Sequence, residues 1–314
     1  MKTGLLAVGL TTLDVVASPI DELPKGEGTT LVKAIACAPA GTAAGAALVA
    51  AKLGLPVKLA SAVGDDLIGR FVRMALEETG VDTTLLPVKP GTTTSTTVLA
   101  VDSQGRRPNF HALGAGGLAT AGDEVIEAAR GAAFLHYAGI GGPKLDGGPG
   151  AALVKAAQEA GTIVTCDLIS PRPSALAELK LLLRYVDYFL PSAAEALALT
   201  GTDDLEAAAS AFMAMGAKAC IIKNGGKGSY VALPEGRFTL PAHVITPLDT
   251  TSCGDSYCAG FIAALSKGWA PLDACRFGTA TAALVAQGLA TLGKLESFEA
   301  TEAYRLATPL AEAG

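Results

Sequence analysis

The 314-residue chain is half hydrophobic and carries 30 acidic against 24 basic residues, a net charge of −6. That length holds one large α/β domain or two small ones. The acidic balance leaves no basic face for a phosphate backbone, and no basic run is interleaved with aromatics. The expected partners are therefore small molecules, not nucleic acid.

In chain order, "MKTGLLAVGLTTLDVV" has one lysine and a short apolar run that reaches Asp14 with no small-residue cleavage pattern. It predicts a first strand, not a secretion signal. Residues 14–38 contain no amphipathic helix, but "EGTTLVKAIACAPA" suits an extended segment. The uncharged window between Lys33 and Lys52 is alanine-rich and broken by Pro39, Gly41 and Gly45. A buried helix over "GTAAGAALVAAKLG" fits it better than a membrane span. "VKLASAV" reads as a strand and "DLIGRFVRMALEETG" as a helix. Residues 92–111 are rich in Thr and Val, with "DSQG" as a hairpin turn.

Strand-like "AAFLHYAG", "TIVTCDL", "VDYFLP" and "KACIIK" follow, interleaved with helical "GPGAALVKAAQEAG" and "DLEAAASAFMAMG". Several helical patterns close on glycine, as helix ends do. "NGG" and "PEG" turn two further hairpins, and a second uncharged window between Arg276 and Lys294 reads as another buried helix. Strands buried on both faces and joined by helices predict an α/β fold with a mainly parallel central sheet. One domain over residues 1–314 is expected. The two extended segments, about 14–38 and 92–111, would form a small β lid over the strand ends, where open α/β sheets bind ligands.

The six cysteines show no CxxC pair and share no spacing with the three histidines, so reduced thiols in a cytoplasmic protein are expected. "GLATLGKL" at 288–295 imitates a Walker A loop, but Leu295 stands where Ser or Thr must hold magnesium. No GxGxxG follows the first strand. "TTSCG" mimics a nucleophile elbow, yet His111, His136 and His243 all precede Ser252, the wrong order for that fold.

Three features remain. In "DTTSCGDSYCAGFIAAL" small residues run into an apolar helix with Asp255 at the junction. Unpaired N–H groups and the helix dipole make such an end an anion site. Asp255 there is either a helix cap or a catalytic base. In "IIKNGGKGSYV" a buried strand ends at Lys223, and Gly225, Gly226 and Gly228 make a turn that can lie under a nucleotide. The same turn also suits an ordinary hairpin. Glu195 in "FLPSAAEA" follows a buried strand, and its plain reading is a solvated first-turn glutamate.

Together these stretches resemble the PfkB carbohydrate kinase family, with its ribokinase-like fold, over the entire chain. "DTTSCGDSYCAGF" resembles the family signature DTTGAGD, "VGDDLIGRFVRMALEETGVDT" the segment after the second large strand, and "GLTTLDVV" the opening strand. "KNGGKG" resembles the nucleotide loop. The resemblance implies that Asp255 is the general base and that the amides of Ser252, Cys253 and Gly254 form an anion hole. Asp14 would bind substrate hydroxyls, with Gly41 and Gly45 in the sugar-site glycine segment. Lys223, Gly225, Gly228 and Ser192 would line the ATP site, and Glu195 would order Mg2+ through water. Asp249 and Thr251 match positions that bind K+ in cation-activated members.

Some positions depart from the family pattern. Gly45 stands where an Asn is usual, which removes a side-chain amide from the sugar site. Ser192 also replaces an Asn, "HYAGIGG" lacks a glutamate that ribokinases carry, and Cys253 is unusual in the signature. The implied activity is ATP-dependent phosphorylation of a primary hydroxyl on a sugar or sugar acid. A nucleoside acceptor and a non-catalytic nucleotide- or sugar-binding regulator are the alternatives. No membrane association is expected, and the apolar edge of a lid predicts a homodimer paired through it.

Overall fold

Short apolar runs that alternate with Ala-rich helices become buried strands and their crossovers. The computed structural model describes residues 2–312. The chain begins with β1 (Thr3–Gly9), β2 (Thr12–Ser18), β3 (Ala34–Ala40), α1 (Thr42–Lys52), β4 (Val57–Ala60), β5 (Val63–Gly64), α2 (Leu67–Glu78) and β6 (Val81–Asp82). Next come β7 (Val88–Lys89), β8 (Thr96–Ala100), β9 (Asn109–Ala112), α3 (Asp123–Gly131), β10 (Ala132–Ile140), α4 (Pro149–Glu159) and β11 (Ile163–Leu168). Then follow α5 (Pro173–Leu182), β12 (Tyr188–Phe189), α6 (Ala193–Thr200), α7 (Leu205–Ala214), β13 (Ala219–Lys223), β14 (Ser229–Leu233) and β15 (Gly236–Leu240). Helices α8 (Cys253–Ser266), α9 (Pro271–Ala286) and α10 (Phe298–Ala307) close the chain.

The central sheet has the order β15-β14-β13-β12-β11-β10-β1-β4-β6. From β6 to β13 neighbouring strands are parallel, and β14 and β15 add antiparallel hairpins at one edge. Successive residues of β1 feed opposite faces, as strand geometry requires. Leu5 and Ala7 pack with α1, α8 and α9, whereas Leu6 and Val8 pack with α3, α4 and α5. This is the expected α/β architecture.

A second sheet, β3-β2-β8-β9, draws on both of the extended segments. Its register puts Ala38, Asp14, Thr97 and His111 in one row, and Cys37, Val15, Val98 and Phe110 in the adjacent row on the opposite face. The first row turns toward the large sheet. The second leaves Val98 and Phe110 exposed, with Ile35 on the same face.

The lid differs in detail from its expected bounds. β2 begins at Thr12, and of the extended stretch only Ala34–Ala40 is a strand, because β2 is seven residues long and its ladder ends at Ser18 opposite Ala34. Residues 92–95 are also outside the strand. Thr94 is held by Asp66, which accepts from its N–H at 2.8 Å and from its hydroxyl at 2.7 Å while capping α2 at Gly69 N, 2.7 Å. β12 is shorter than "VDYFLP" suggested, since Pro191 has no N–H to donate.

One carboxylate thus caps α2 and pins the segment entering the lid. Asp66→Ala should lower stability by about 2–3 kcal/mol, the sum of a lost N-cap and lost charge-assisted hydrogen bonds. Urea unfolding of wild type and variant measures it, and a loss below about 0.5 kcal/mol would show that Asp66 does not hold this junction.

Candidate active site

The parallel strands end along one edge, and each end delivers a polar residue there. β11 ends beside Asp167, β13 ends at Lys223, and the turn after β12 leads into α6 with Ser192 and Glu195. Across from them, β2 of the lid presents Asp14, and α8 starts at the floor. These residues line one cavity of about 1040 Å³, at the place where open α/β sheets bind ligands.

Asp255 does not cap α8. The N-cap residue is Ser252, whose side chain makes no capping bond and whose backbone is left-handed at φ 55°. Glycine adopts that conformation freely and serine only with strain. Asp255 is the third residue of the helix. The Cys253 amide turns back to the Thr250 carbonyl at 3.4 Å, whereas the Gly254 and Asp255 amides have no acceptor among the described residues. Of the expected Ser252–Gly254 set, the Cys253 amide alone is so engaged; the Ser252 amide also has no acceptor among the described residues. The helix dipole adds to the pull of the free amides on an anion.

Lys223 completes this corner. A Cβ placed on Gly254 would lie 3.5 Å from its Nζ. The lysine pairs with Asp167, and the Cys258 thiol lies 3.4 Å from its Nζ. Burial by itself would favour loss of the proton, but Asp167, and more weakly Glu195, hold the pKa above its usual value. Asp255 is pushed up to about 8, mainly by burial and then by Asp167, with Lys223 opposing. Asp14 rises to about 6, again mainly by burial, and the Thr97 hydroxyl and Arg107 restrain it. Its Oδ1 is buried without a partner. Two carboxylates able to hold protons near neutrality thus face one cavity, with amides and a fixed cation beside one of them.

Glu195 is not a solvated surface residue. It and Ser192 form a capping box, with Ser192 N donating to Glu195 Oε2 at 2.7 Å and Glu195 N to Ser192 Oγ at 3.3 Å. Burial, then Asp167, raises its pKa. No group of three or more His, Cys, Asp or Glu among the described residues could cage a metal. Mg2+ needs no such cage when phosphates share its coordination, and Glu195 with Asp167 beside the amide corner fits that arrangement.

Gly41 and Gly228 line the cavity with left-handed backbones, φ 93° and 89°; a Cβ would strike Leu10 O at 2.7 Å in the first and Leu240 O at 1.9 Å in the second. Gly225 also lines it, in one turn of 3-10 helix between β13 and β14. Gly45 does not line it. The residue is buried on α1, where an added Cβ would lie 3.1 Å from Asp255 Oδ2. Its place is behind the carboxylate.

Asp249 is fully engaged by protein. Its Oδ1 accepts from Thr251 N at 2.8 Å and Thr251 Oγ1 at 2.5 Å, and its Oδ2 from Ala290 N at 2.9 Å. The pair clamps the loop before α8. The Walker-like segment 288–295 is a loop that serves the same end, its Thr291 hydroxyl donating to Pro39 O at 2.7 Å.

Sequence reasoning missed Asp167, Arg107 and the apolar wall of Val244, Ile245, Pro247, Ala283 and Ala311. Asp167 had the same signal as Glu195, a carboxylate closing a buried strand. The wall had none, because the C-terminal tail joins it through pairing distant in sequence, with Ala311 N donating to Ala242 O at 2.8 Å and Val244 N to Pro309 O at 2.9 Å.

Residues 2–296 match the pfkB family carbohydrate kinase profile. The chain is 27% identical over 285 residues to a nucleoside kinase of Methanothermobacter thermautotrophicus, covering 90% of this chain and 89% of that protein. It is 28% identical over 249 residues to the ribokinase of Haemophilus influenzae, covering 78% and 79%. A solved structure of a putative ribokinase II from E. coli in complex with ATP and Mg2+ superposes with a TM-score of 0.82 at 21% identity, covering 96% of this chain and 98% of that one. That last likeness is one of fold.

The raised pKa of Asp255 makes stability depend on pH. The folded value, about 8, lies above the ordinary 3.8, so the carboxyl's contribution is fully present below the ordinary value and is lost as pH rises through about 8. Asp255→Asn has no such loss. Its melting temperature should exceed that of wild type by a margin that grows from about pH 5 to about pH 8.5. A margin independent of pH, measured by calorimetry, would show that Asp255 is not a buried titrating group.

Proposed function

The chain belongs to the pfkB family of carbohydrate kinases, and we propose that it transfers the γ-phosphoryl group of ATP to a primary hydroxyl of a sugar or sugar acid. The observation that carries this reading is Asp255 at the start of α8, flanked by the free amides of Gly254 and Asp255 and by the Lys223 ammonium. Phosphoryl transfer asks mainly for positioning and for stabilised charge. Asp255 accepts the proton of the acceptor hydroxyl. The amides and Lys223 meet charge on the transferred group. Asp14, whose buried Oδ1 lacks a partner, receives hydroxyls of the acceptor, and the Gly41 backbone lies beside it.

ATP fits the other half, with Lys223, Gly225, Gly228 and Ser192 near its phosphates and the apolar wall around its base. Mg2+ would be held through water by Glu195, beside Asp167, and would supply positive charge to offset that of the phosphates. Asp249 and Thr251 shape the loop that aims the amides. A K+ ion there would share oxygens the loop already uses.

A nucleoside is the second acceptor considered, because a relative with 27% identity is named a nucleoside kinase. The cavity's aromatic lining favours the sugar. Tyr257 is the one Phe, Tyr or Trp there among the described residues, and its hydroxyl bonds Ser229 at 3.1 Å. The lid contributes none, so on the acceptor side a base would find only the His111 imidazole and the Arg107 guanidinium to stack on.

The test is ADP release with Mg-ATP across sugars, sugar acids and nucleosides, with and without potassium. A sugar or sugar acid should turn over best. Asp255→Asn should then lower kcat roughly 10²–10⁴-fold, the span for loss of a general base, with ATP affinity kept. Near-normal turnover in that variant would overturn the role of Asp255, and no ADP release with any acceptor would favour the non-catalytic regulator.

A second copy is proposed to cover the outer lid face, where Ile35, Val98 and Phe110 are 65%, 45% and 69% exposed. Light scattering should give a dimer at micromolar concentration and a monomer for Phe110→Lys. A wild-type monomer at high micromolar concentration would sink this pairing.

A further inference from the structure

Among the described residues, the cavity is lined by four carboxylates, Asp14, Asp167, Glu195 and Asp255, and by two cations, Lys223 and Arg107. Lys223 is committed to Asp167. Arg107 makes no ion pair in the described structure. It arises from the turn between β8 and β9 of the lid, and its Nε donates to Thr250 Oγ1 at 2.9 Å. That bond seats the guanidinium by its inner nitrogen, and the two terminal nitrogens stay free. A seated guanidinium offers a planar fork that matches a carboxylate or phosphate in two parallel hydrogen bonds.

Arg107 lies on the acceptor side. It shares the lid with Asn109, His111 and Thr97, which also line the cavity, and its charge is felt both at Asp14 and at Cys253, where α8 begins. The transferred phosphoryl group already has Lys223 and the α8 amides. A neutral polyol bound between Asp14 and Asp255 would leave an unpaired cation at the mouth with nothing to meet. On the acceptor side, away from Lys223 and the α8 amides, Arg107 is the one cation that could meet an acidic acceptor.

We infer that Arg107 selects an acceptor carrying an anionic group, a carboxylate or a phosphate monoester, remote from the hydroxyl presented to Asp255. This rests on the kinase reading for its orientation, but the selection itself is a property of binding. Arg107 is a specificity residue. It grips the far end of the acceptor while Asp14 holds its hydroxyls.

The experiment is calorimetric titration of matched series: a pentose or hexose, its aldonic acid and its phosphate monoester, with ADP release followed in parallel. Wild type should bind one of the two anionic members at least tenfold more tightly than the neutral sugar. The arm that wins identifies carboxylate or phosphate. Arg107→Met should remove that preference, weakening the anion about tenfold to a hundredfold as for loss of a charged hydrogen-bond donor, and Arg107→Lys should restore part of it. Equal binding of all members by wild type, no binding of any anion, or equal weakening of neutral and anionic members in Arg107→Met would each overturn the inference. An intact anion preference without ADP release would count against the kinase reading and leave the role of Arg107 standing.

Discussion

A carboxylate can be enclosed at the third position of α8 only because the surrounding helices carry so little side chain. Gly45 on α1 leaves the space that Asp255 fills, with 3.1 Å between a built Cβ and Oδ2. Further along α8, Gly260 lets Thr281 of α9 approach to where a Cβ would be 2.3 Å from its hydroxyl, and Gly278 of α9 meets Tyr257 O in the same way at 2.8 Å. Close backbones sink the helix start into the sheet's edge, where it is half-buried at the cavity floor. Interiors packed this tightly do not yield when a methyl group is added. Burial then raises the Asp255 pKa toward the range where a base works at neutral pH, at a cost in stability that the variant experiment reads out.

The same helix start is tied to the lid by two threads, one direct and one through the loop at residues 290–291. Arg107 reaches Thr250, the loop at Ala290 donates to Asp249, and Thr291 holds the end of β3 at Pro39. The lid and the amides therefore cannot shift independently, which suits a site that must exclude water before phosphoryl transfer. Beneath them, the pair of Lys223 and Asp167 is a poor source of net stability, since desolvating both charges offsets much of their attraction. Its value is geometric, because it fixes a cation beside Gly254.

Much of this was legible. Short buried runs, the turn glycines, and acids or a lysine at the ends of strands locate the cavity edge without coordinates. The two uncharged windows also make sense afterwards: they hold α1 and the second half of α9, helices that flank α8 and lack charge because they are buried, together with strand β3 in the first and the loop at 287–293 in the second. Other features carried no local sign. Helices α3, α5 and α10 were not read, being short and flanked by ambiguous turns. Ser252 shows no reason in sequence to adopt a left-handed backbone. Gly45 looked like a missing substrate contact, and its role emerges only when α1 lies against α8. Arg107 reads as a hairpin residue until the lid folds over Thr250.

By itself the sequence determined the α/β class, the parallel order of alternating elements, the lid segments and the residues at the α8 junction. Each of these follows from periodicity or from residue chemistry within a few positions. Only the tertiary structure decided which charges face one another. Asp167 with Lys223 is a contact across 56 positions, Arg107 with Thr250 across 143, and Thr291 with Pro39 across 252. Protonation depends on those long-range neighbours and on burial, so the surroundings that raise the Asp255 pKa could be read only in space: a helix cap is local, but a raised pKa needs the whole fold around it.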